Sequence, residues 1–170
     1  MMDVEAFGAT LMWAEAPRAG WQEGDGGWEQ GESFYAGDSV IFTEGTVSIV
    51  GEVQPGEIDV AVAKSLTFKT SYNKKTQQYS GAIVGDDTSL TIAATTTKGK
   101  VTMNDGNRYG GGTTILSGTV RAGGAMSFGT GDIYMYGGTL DLASKEVANI
   151  IFLEGAGVIK GGKKFLGSLA

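Results

Sequence analysis

From Asp38 onward the chain alternates apolar and polar positions with a period of two. Val40 and Phe42, Val47 and Ile49, Ile58 and Val60, Leu66 and Phe68, Leu90 and Ile92, and Leu140 and Leu142 each place two apolar side chains on one strand face, and the Ser, Thr, Asp and Lys residues between them face the other way. β-branched residues are abundant and apolar spacing at i, i+3, i+4, i+7 is scarce, so the pattern predicts strands throughout. Only Ala143-Ser144-Lys145-Glu146-Val147 reads as a helical turn.

Seven segments share a stricter form, a small or polar residue followed by alternation: 45–49, 64–68, 88–92, 99–103, 118–122, 138–142 and 157–161. Their starts lie 19, 24, 11, 19, 20 and 19 residues apart. Recurrence near 20 residues, with one strand pair per period, predicts a parallel coil in which each turn stacks on the last. One turn buries too little apolar surface to offset its backbone entropy, so stability requires several stacked together. Val120, Leu140 and Ile159 are then expected to form one column, each buried member contributing roughly 1.5–3 kcal/mol. The links Ser117-Gly118 and Gly137-Gly138 fit either an antiparallel hairpin or a corner between two sheets of one coil. The regular period favours the corner. The polar stretch from Asn73 to Ser80 breaks the period and reads as a loop excursion.

Residues 1–37 read differently, as an irregular lead-in segment with Trp13, Trp21 and Trp28 and the acidic Glu15, Glu23, Asp25, Glu29 and Glu32. Gly24-Asp25-Gly26-Gly27 is a turn signal. The tryptophans are expected to cap the open apolar end of the first coil rather than to bind a ligand. At the other end the pattern is still running at Val158 to Lys160, and Lys163-Lys164 followed by Phe165 and Leu166 predicts a weakly protected edge. Further coils or an anchor are expected after Ala170, with end-to-end self-association in the isolated chain.

Length and composition fit one domain, residues 1–170, in which 1–37 form the cap and 38–170 the repeat coils. The chain has 170 residues and is 41% hydrophobic, with 29 Gly and 2 Pro, so the glycines serve turns rather than disorder. The resulting fold class is all-β, a right-handed parallel β-helix (solenoid) with an N-terminal Trp/Gly-rich cap; a β-sandwich is the alternative. A formal charge of −6 opposes nucleic-acid binding. No apolar run reaches the ~18 residues that a membrane-spanning helix needs. The first residues lack the basic start of a signal peptide, so an exported protein would carry its signal outside this sequence.

Chemistry is sparse. With no His and no Cys, the commonest general base and thiolate nucleophiles and ligands are absent, and no enzymatic activity, cofactor or metal is expected. Asp86-Asp87 is the one adjacent acidic pair, and Gly85-Asp86-Asp87-Thr88 is a turn signature rather than a catalytic dyad. Gly129-Thr130-Gly131-Asp132 and Gly137-Gly138-Thr139-Leu140-Asp141 both miss the calcium-binding nonapeptide pattern, and Gly110-Gly111-Gly112-Thr113-Thr114 has no Lys or following helix to make a phosphate loop. The remaining candidate ligand-binding residues are Tyr134 and Tyr136. If Ile133 and Met135 face the core, both tyrosines project from one sheet surface, where they could stack on sugar rings or ladder against neighbours such as Phe152.

The run Tyr109-Gly110-Gly111-Gly112-Thr113-Thr114-Ile115-Leu116-Ser117-Gly118-Thr119-Val120, then Gly129-Thr130-Gly131-Asp132-Ile133, then Gly137-Gly138-Thr139-Leu140-Asp141-Leu142, strongly resembles the autotransporter-associated β-strand repeat. Upstream, the three tryptophans, Gly37-Asp38-Ser39-Val40-Ile41-Phe42 and Val53-Gln54-Pro55-Gly56-Glu57-Ile58 resemble the module that often precedes such repeats. The chain departs from the pattern at Arg108, where the family has a small polar residue, and no translocator barrel is present. The resemblance implies a right-handed parallel β-helix from the passenger region of a bacterial surface or secreted protein, here as a fragment or a short member. Its role would be structural or adhesive, with a host glycan or surface protein as partner. A carbohydrate-binding surface module using exposed aromatic residues is the alternative.

Overall fold

The computed structural model describes residues 8–14, 20–24 and 28–162. Residues 25–27 of the expected turn at 24–27, the acidic Glu15 and the edge residues Lys163 to Leu166 lie outside them. In chain order the strands are β1 (Thr10–Met12), β2 (Ser39–Phe42), β3 (Gly45–Ser48), β4 (Gly51–Val53), β5 (Glu57–Val62), β6 (Ser65–Lys69), β7 (Tyr72–Asn73), β8 (Gln78–Tyr79), β9 (Gly81–Ile83), β10 (Ser89–Ala94), β11 (Lys100–Met103), β12 (Thr113–Ile115), β13 (Thr119–Ala122), β14 (Ile133–Met135), β15 (Thr139–Asp141), β16 (Ile151–Leu153) and β17 (Val158–Lys160).

From β2 onward the chain passes back and forth between two parallel sheets. The first has the order β1-β2-β5-β10-β12-β14-β16 and the second β17-β15-β13-β11-β6-β3. A third, two-stranded parallel sheet joins β4 to β9; among the described residues the antiparallel pairings are the β7–β8 hairpin and an isolated bridge between Trp13 and Trp28. The architecture is all-β with mostly parallel sheets. β13 pairs in parallel with β15 and not with its sequence neighbour β12, so Ser117-Gly118 is a corner rather than a hairpin turn. Gly118 and Gly138 take these corners at φ +88° and +75°, and a Cβ on Gly138 would lie 2.5 Å from the Gly118 carbonyl oxygen. Only glycine allows both the left-handed backbone and that approach between successive corners.

The register turns the sequence alternation into columns. In the second sheet Leu66, Val101, Val120, Leu140 and Ile159 lie side by side, with Val120, Leu140 and Ile159 stacked as the sequence predicts. In the first sheet Leu11, Val40, Ile58, Leu90, Thr113, Ile133 and Ile151 form the matching inward row. The outward row of the second sheet is polar, and there Arg121 and Asp141 form an ion pair across adjacent strands at 3.7 Å, whereas the outward row of the first sheet also carries Met12, Ile41, Tyr134 and Phe152.

Two local expectations are corrected. The segment at 88–92 belongs to the first sheet, as β10, whereas the other six similar segments lie along the second. The irregular 24- and 11-residue intervals are thus one long 35-residue pass from Leu66 to Val101 that contains the hairpin. Ala143 to Val147 is not helical: Ala143 and Ser144 have φ of 50° and 63°, and the Lys145 N–H donates to the Leu142 carbonyl to close a turn. A left-handed pair cannot continue a right-handed helix.

The buried apolar residues make one continuous cluster. At its N-terminal end Trp13, Trp21 and Trp28 pack with Phe34, Phe42 and Phe68, ring centroids 4.9–6.3 Å apart among the contacting pairs. β1 extends the first sheet, and Trp21 bridges in parallel to Ile49. The described residues before β2 thus pack against the β2 and β3 end of the two sheets.

Candidate functional site

Tyr134 and Tyr136 follow the alternation of β14, whose Ile133 and Met135 are fully buried. Tyr134 is half-buried, and its ring lies nearly coplanar over Phe152 of the neighbouring strand, centroids 5.1 Å apart and planes 10° apart. That is the cross-strand ladder, and it engages the face of Tyr134 that looks toward Phe152. Tyr136 lies just beyond the strand and is 54% exposed. Asp86 and Asp87 are exposed in a turn organised by Thr88, whose buried hydroxyl bonds the carbonyls of Val84 at 2.9 Å and Pro55 at 2.5 Å. They do not converge on other carboxylates, and among the described residues no three His, Cys, Asp or Glu gather as a metal site.

A more structured site lies beside the hairpin. The chain leaves β6, runs out through β7 and returns through β8 before entering β9. Asn73 starts the turn by accepting the N–H groups of Lys75 and Thr76 at 2.9 and 3.3 Å. The base is fastened by Ser80, whose hydroxyl accepts the Ser71 N–H at 2.9 Å and donates to the Ile49 carbonyl at 3.2 Å. Tyr72 and Tyr79 face each other across the ribbon, centroids 4.9 Å apart.

Tyr79 then ties the ribbon to the body. Its hydroxyl donates to Asp105 Oδ2 at 2.5 Å, and Asp105 Oδ1 accepts the N–H groups of Gly106 and Met126 at 2.8 and 2.9 Å. The hydrogen bond to Asp105, aided by burial and by the carboxylate charge, pushes the Tyr79 phenol up to about 12. For Asp105, partial burial acts to raise the pKa, but the bonds from Tyr79, Met126 and Gly106 outweigh it and hold the carboxyl below its ordinary value.

Behind this ribbon the polypeptide is held by buried amides. The Asn107 side chain accepts the Ile83 N–H at 3.0 Å and Asn104 Nδ2 at 2.7 Å, and donates to the Ser127 carbonyl at 2.9 Å. Two passes further on, Asn149 Nδ2 donates to the carbonyl of Gly131 at 2.8 Å. The phenol of Tyr109, fully buried, shares a hydrogen bond with Thr113 at 2.6 Å, and burial raises its pKa so that it stays neutral. Asn107, Tyr109 and Thr113 are thus committed to the corners.

Arg108, between Asn107 and Tyr109, points outward and pairs with Glu52 of β4. The two are separated by β9, and the register sets Glu52 beside Ala82, a buried residue small enough for the pair to pass over it. Glu52, Arg108, Gln77, Gln78, Tyr79 and Met126 line a cleft of about 490 Å³ whose floor includes Gly81 and Asn107. The arrangement offers hydrogen-bonding groups and apolar surface on a fixed frame.

The sequence analysis singled out neither Tyr79 nor Glu52. Two of its signals bore on the site: the break in period at Asn73 to Ser80 and the departure from the repeat at Arg108. No protein-family model, curated protein or solved structure matches this chain.

Proposed function

We propose that the chain is a non-catalytic structural and adhesive segment of an autotransporter-like passenger region, wound as a right-handed parallel β-helix and displayed at the bacterial cell surface or released from it. The observation that carries this reading is the division of labour at 107–113. Tyr109 and Thr113, which belong to the run that bears the resemblance, and Asn107 just before it are buried and hydrogen-bonded, while parallel registers run unbroken through β11, β13, β15 and β17. Such residues serve architecture, which suits a scaffold that presents its outer surface. A right-handed winding follows the strong preference of crossovers between parallel strands. Partners of the display role are a host glycan or a surface protein. The partly exposed Leu153, in register with the core residue Met135, suits end-to-end contact with another copy or a further coil.

The test is export. The chain is placed behind a secretion signal and ahead of a translocator barrel in a Gram-negative host, and external protease is added to whole cells. A folded, protease-resistant chain on the outside is expected. Retention or degradation inside the cell, when a control passenger reaches the surface from the same vector, removes the passenger reading.

A carbohydrate-binding surface module is the second reading. It is favoured by the outer face of the first sheet, where exposed Tyr136 follows the stacked pair Tyr134 and Phe152.

A further inference from the structure

We propose that the cleft between the β7–β8 hairpin and the β4–β9 face binds a neutral oligosaccharide. The inference rests on the geometry of the cleft and not on the passenger reading. It shares a ligand class with the second reading but moves the site from the outer sheet face to the hairpin.

The hairpin interrupts an otherwise parallel architecture, and insertions into stacked repeats gather on one face, where they build binding surfaces without disturbing the core. This insertion is held rigidly. Tyr79 is fixed to Asp105, Asp105 to two backbone N–H groups, and Ser80 to the Ile49 carbonyl. Gly106, at φ +82°, lets the Tyr79 ring lie directly on the backbone, since a Cβ there would fall 2.7 Å from ring atom Cδ2. A binding wall that is already ordered loses little entropy when a ligand arrives.

The lining selects the ligand. Arg108 and Glu52 meet as planar groups at the mouth, with side chains 54% and 67% exposed, so guanidinium N–H donors and carboxylate lone pairs remain turned to solvent. The amides of Gln77 and Gln78 add donors and acceptors beside them. Vicinal hydroxyls of a sugar both donate and accept at this spacing, and the C–H surface of the ring can rest on Tyr79 and Met126. At about 490 Å³ the cleft is of ligand-pocket size. Charge decides against acidic ligands. Among the lining residues the one cation, Arg108, is already paired to Glu52; Lys74 and Lys75 sit on the hairpin outside the lining, Lys145 faces Asp105, and the whole chain carries −6.

The experiment uses the full chain with cellohexaose, maltohexaose and mannohexaose as neutral probes and trigalacturonate as the acidic one, followed by calorimetry and backbone chemical shifts. Variants are Glu52→Gln, Arg108→Gln and Tyr136→Ala. At least one neutral hexaose should bind saturably and shift residues 52, 77–80 and 106–108. Each cleft variant should weaken it at least about tenfold with an unchanged melting temperature, because an exposed ion pair stabilises the fold little. Tyr136→Ala should bind as the parent does. Absence of binding to all three hexaoses, or binding of trigalacturonate alone, overturns the proposal. So does a loss confined to Tyr136→Ala, an outcome that leaves the sheet-face carbohydrate reading standing.

Discussion

The N-terminal end of the molecule and the passes from β11 to β17 solve the same problem, covering apolar surface, by opposite means. Between β11 and β17 the core is a lattice of mostly aliphatic columns whose members recur every 18 to 20 residues, and the Asn107 and Asn149 amides satisfy backbone carbonyls between the strands. At the N-terminal end six large rings pack edge to face and tilted, as in Trp13 on Trp28 at 5.0 Å and 83° or Phe42 on Phe68 at 4.9 Å and 83°. The difference teaches how stability is spread. Columns share it among many modest contributions, each dependent on register. An aromatic cluster concentrates it in a few residues whose bulk fills space without a repeat.

The largest expected effect follows from that concentration. Trp21 is fully buried against Trp28, Phe34, Phe42 and Phe68, so Trp21→Ala should cost about 3–5 kcal/mol in chemical denaturation. Ile133→Val, which removes one methylene from a column, should cost only about 0.5–1.5 kcal/mol. Equal losses would erase the contrast between the two regions. Trp21→Phe sharpens it further. Among the described residues the buried Trp21 indole N–H has no hydrogen-bond partner, so phenylalanine gives up some packing while removing an unsatisfied donor. Its loss should be less than half that of alanine.

Corner chemistry comes next. Asn107→Ala leaves the Ile83 N–H and the Ser127 carbonyl buried without the side chain that bonds both, a loss of about 1–3 kcal/mol. Gly81→Ala probes the same face sterically, since its Cβ would meet the Ile49 carbonyl oxygen at 2.4 Å and the Gly51 oxygen at 2.8 Å, both backbone atoms that cannot swing aside. It should cost about 1–3 kcal/mol. Asn107→Ala should leave the aromatic end unaltered, as tryptophan fluorescence of the folded state reports separately, whereas Gly81→Ala presses on Ile49, the bridge partner of Trp21, and should perturb it. A changed folded-state spectrum in Asn107→Ala would show that corners and cluster are coupled.

Legibility in the sequence divides along the same line. Alternation at Val120, Leu140 and Ile159 predicts their column because a parallel register maps a constant residue count onto one direction in space. The same alternation places β10 with the wrong set, since a strand of either sheet carries the same two-residue pattern and only the pairing tells them apart. Tyr134 was readable as an outward residue, and its stacking on Phe152 was among the expected outcomes, because both follow from one strand and its neighbour. The cleft was not readable. Tyr79 of the hairpin reaches Asp105 across 26 residues and Arg108 reaches Glu52 across 56, and no local pattern encodes those separations. Ala143 to Val147 misled for a related reason: its composition permits a helical turn, but the corner requires two left-handed residues.

The smallest effect concerns the hairpin alone, and it separates a strapped insertion from the lattice beneath it. Tyr79→Phe removes the phenol that reaches Asp105 and should cost about 1 kcal/mol or less once solvent exposure is allowed for. The loss should appear as faster hydrogen exchange in β7 and β8 with little change in β11 to β17. The pH dependence has two limbs. Asp105 titrates below its ordinary value of 3.8 in the folded protein, so its contribution is complete above that pH and is lost as pH falls through the lowered folded value. Tyr79 titrates near 12 rather than 10.0, so its contribution is complete below pH 10 and is lost as pH climbs toward 12. Hairpin protection, corrected for intrinsic exchange, should therefore be flat between about pH 5 and 9 and decline on either side. In Tyr79→Phe the alkaline limb should vanish. The acid limb should shrink but persist, because Asp105 still accepts the N–H groups of Gly106 and Met126. An alkaline limb that survives the substitution would place the titrating group elsewhere and show that the Tyr79–Asp105 bond does not hold the hairpin to the body.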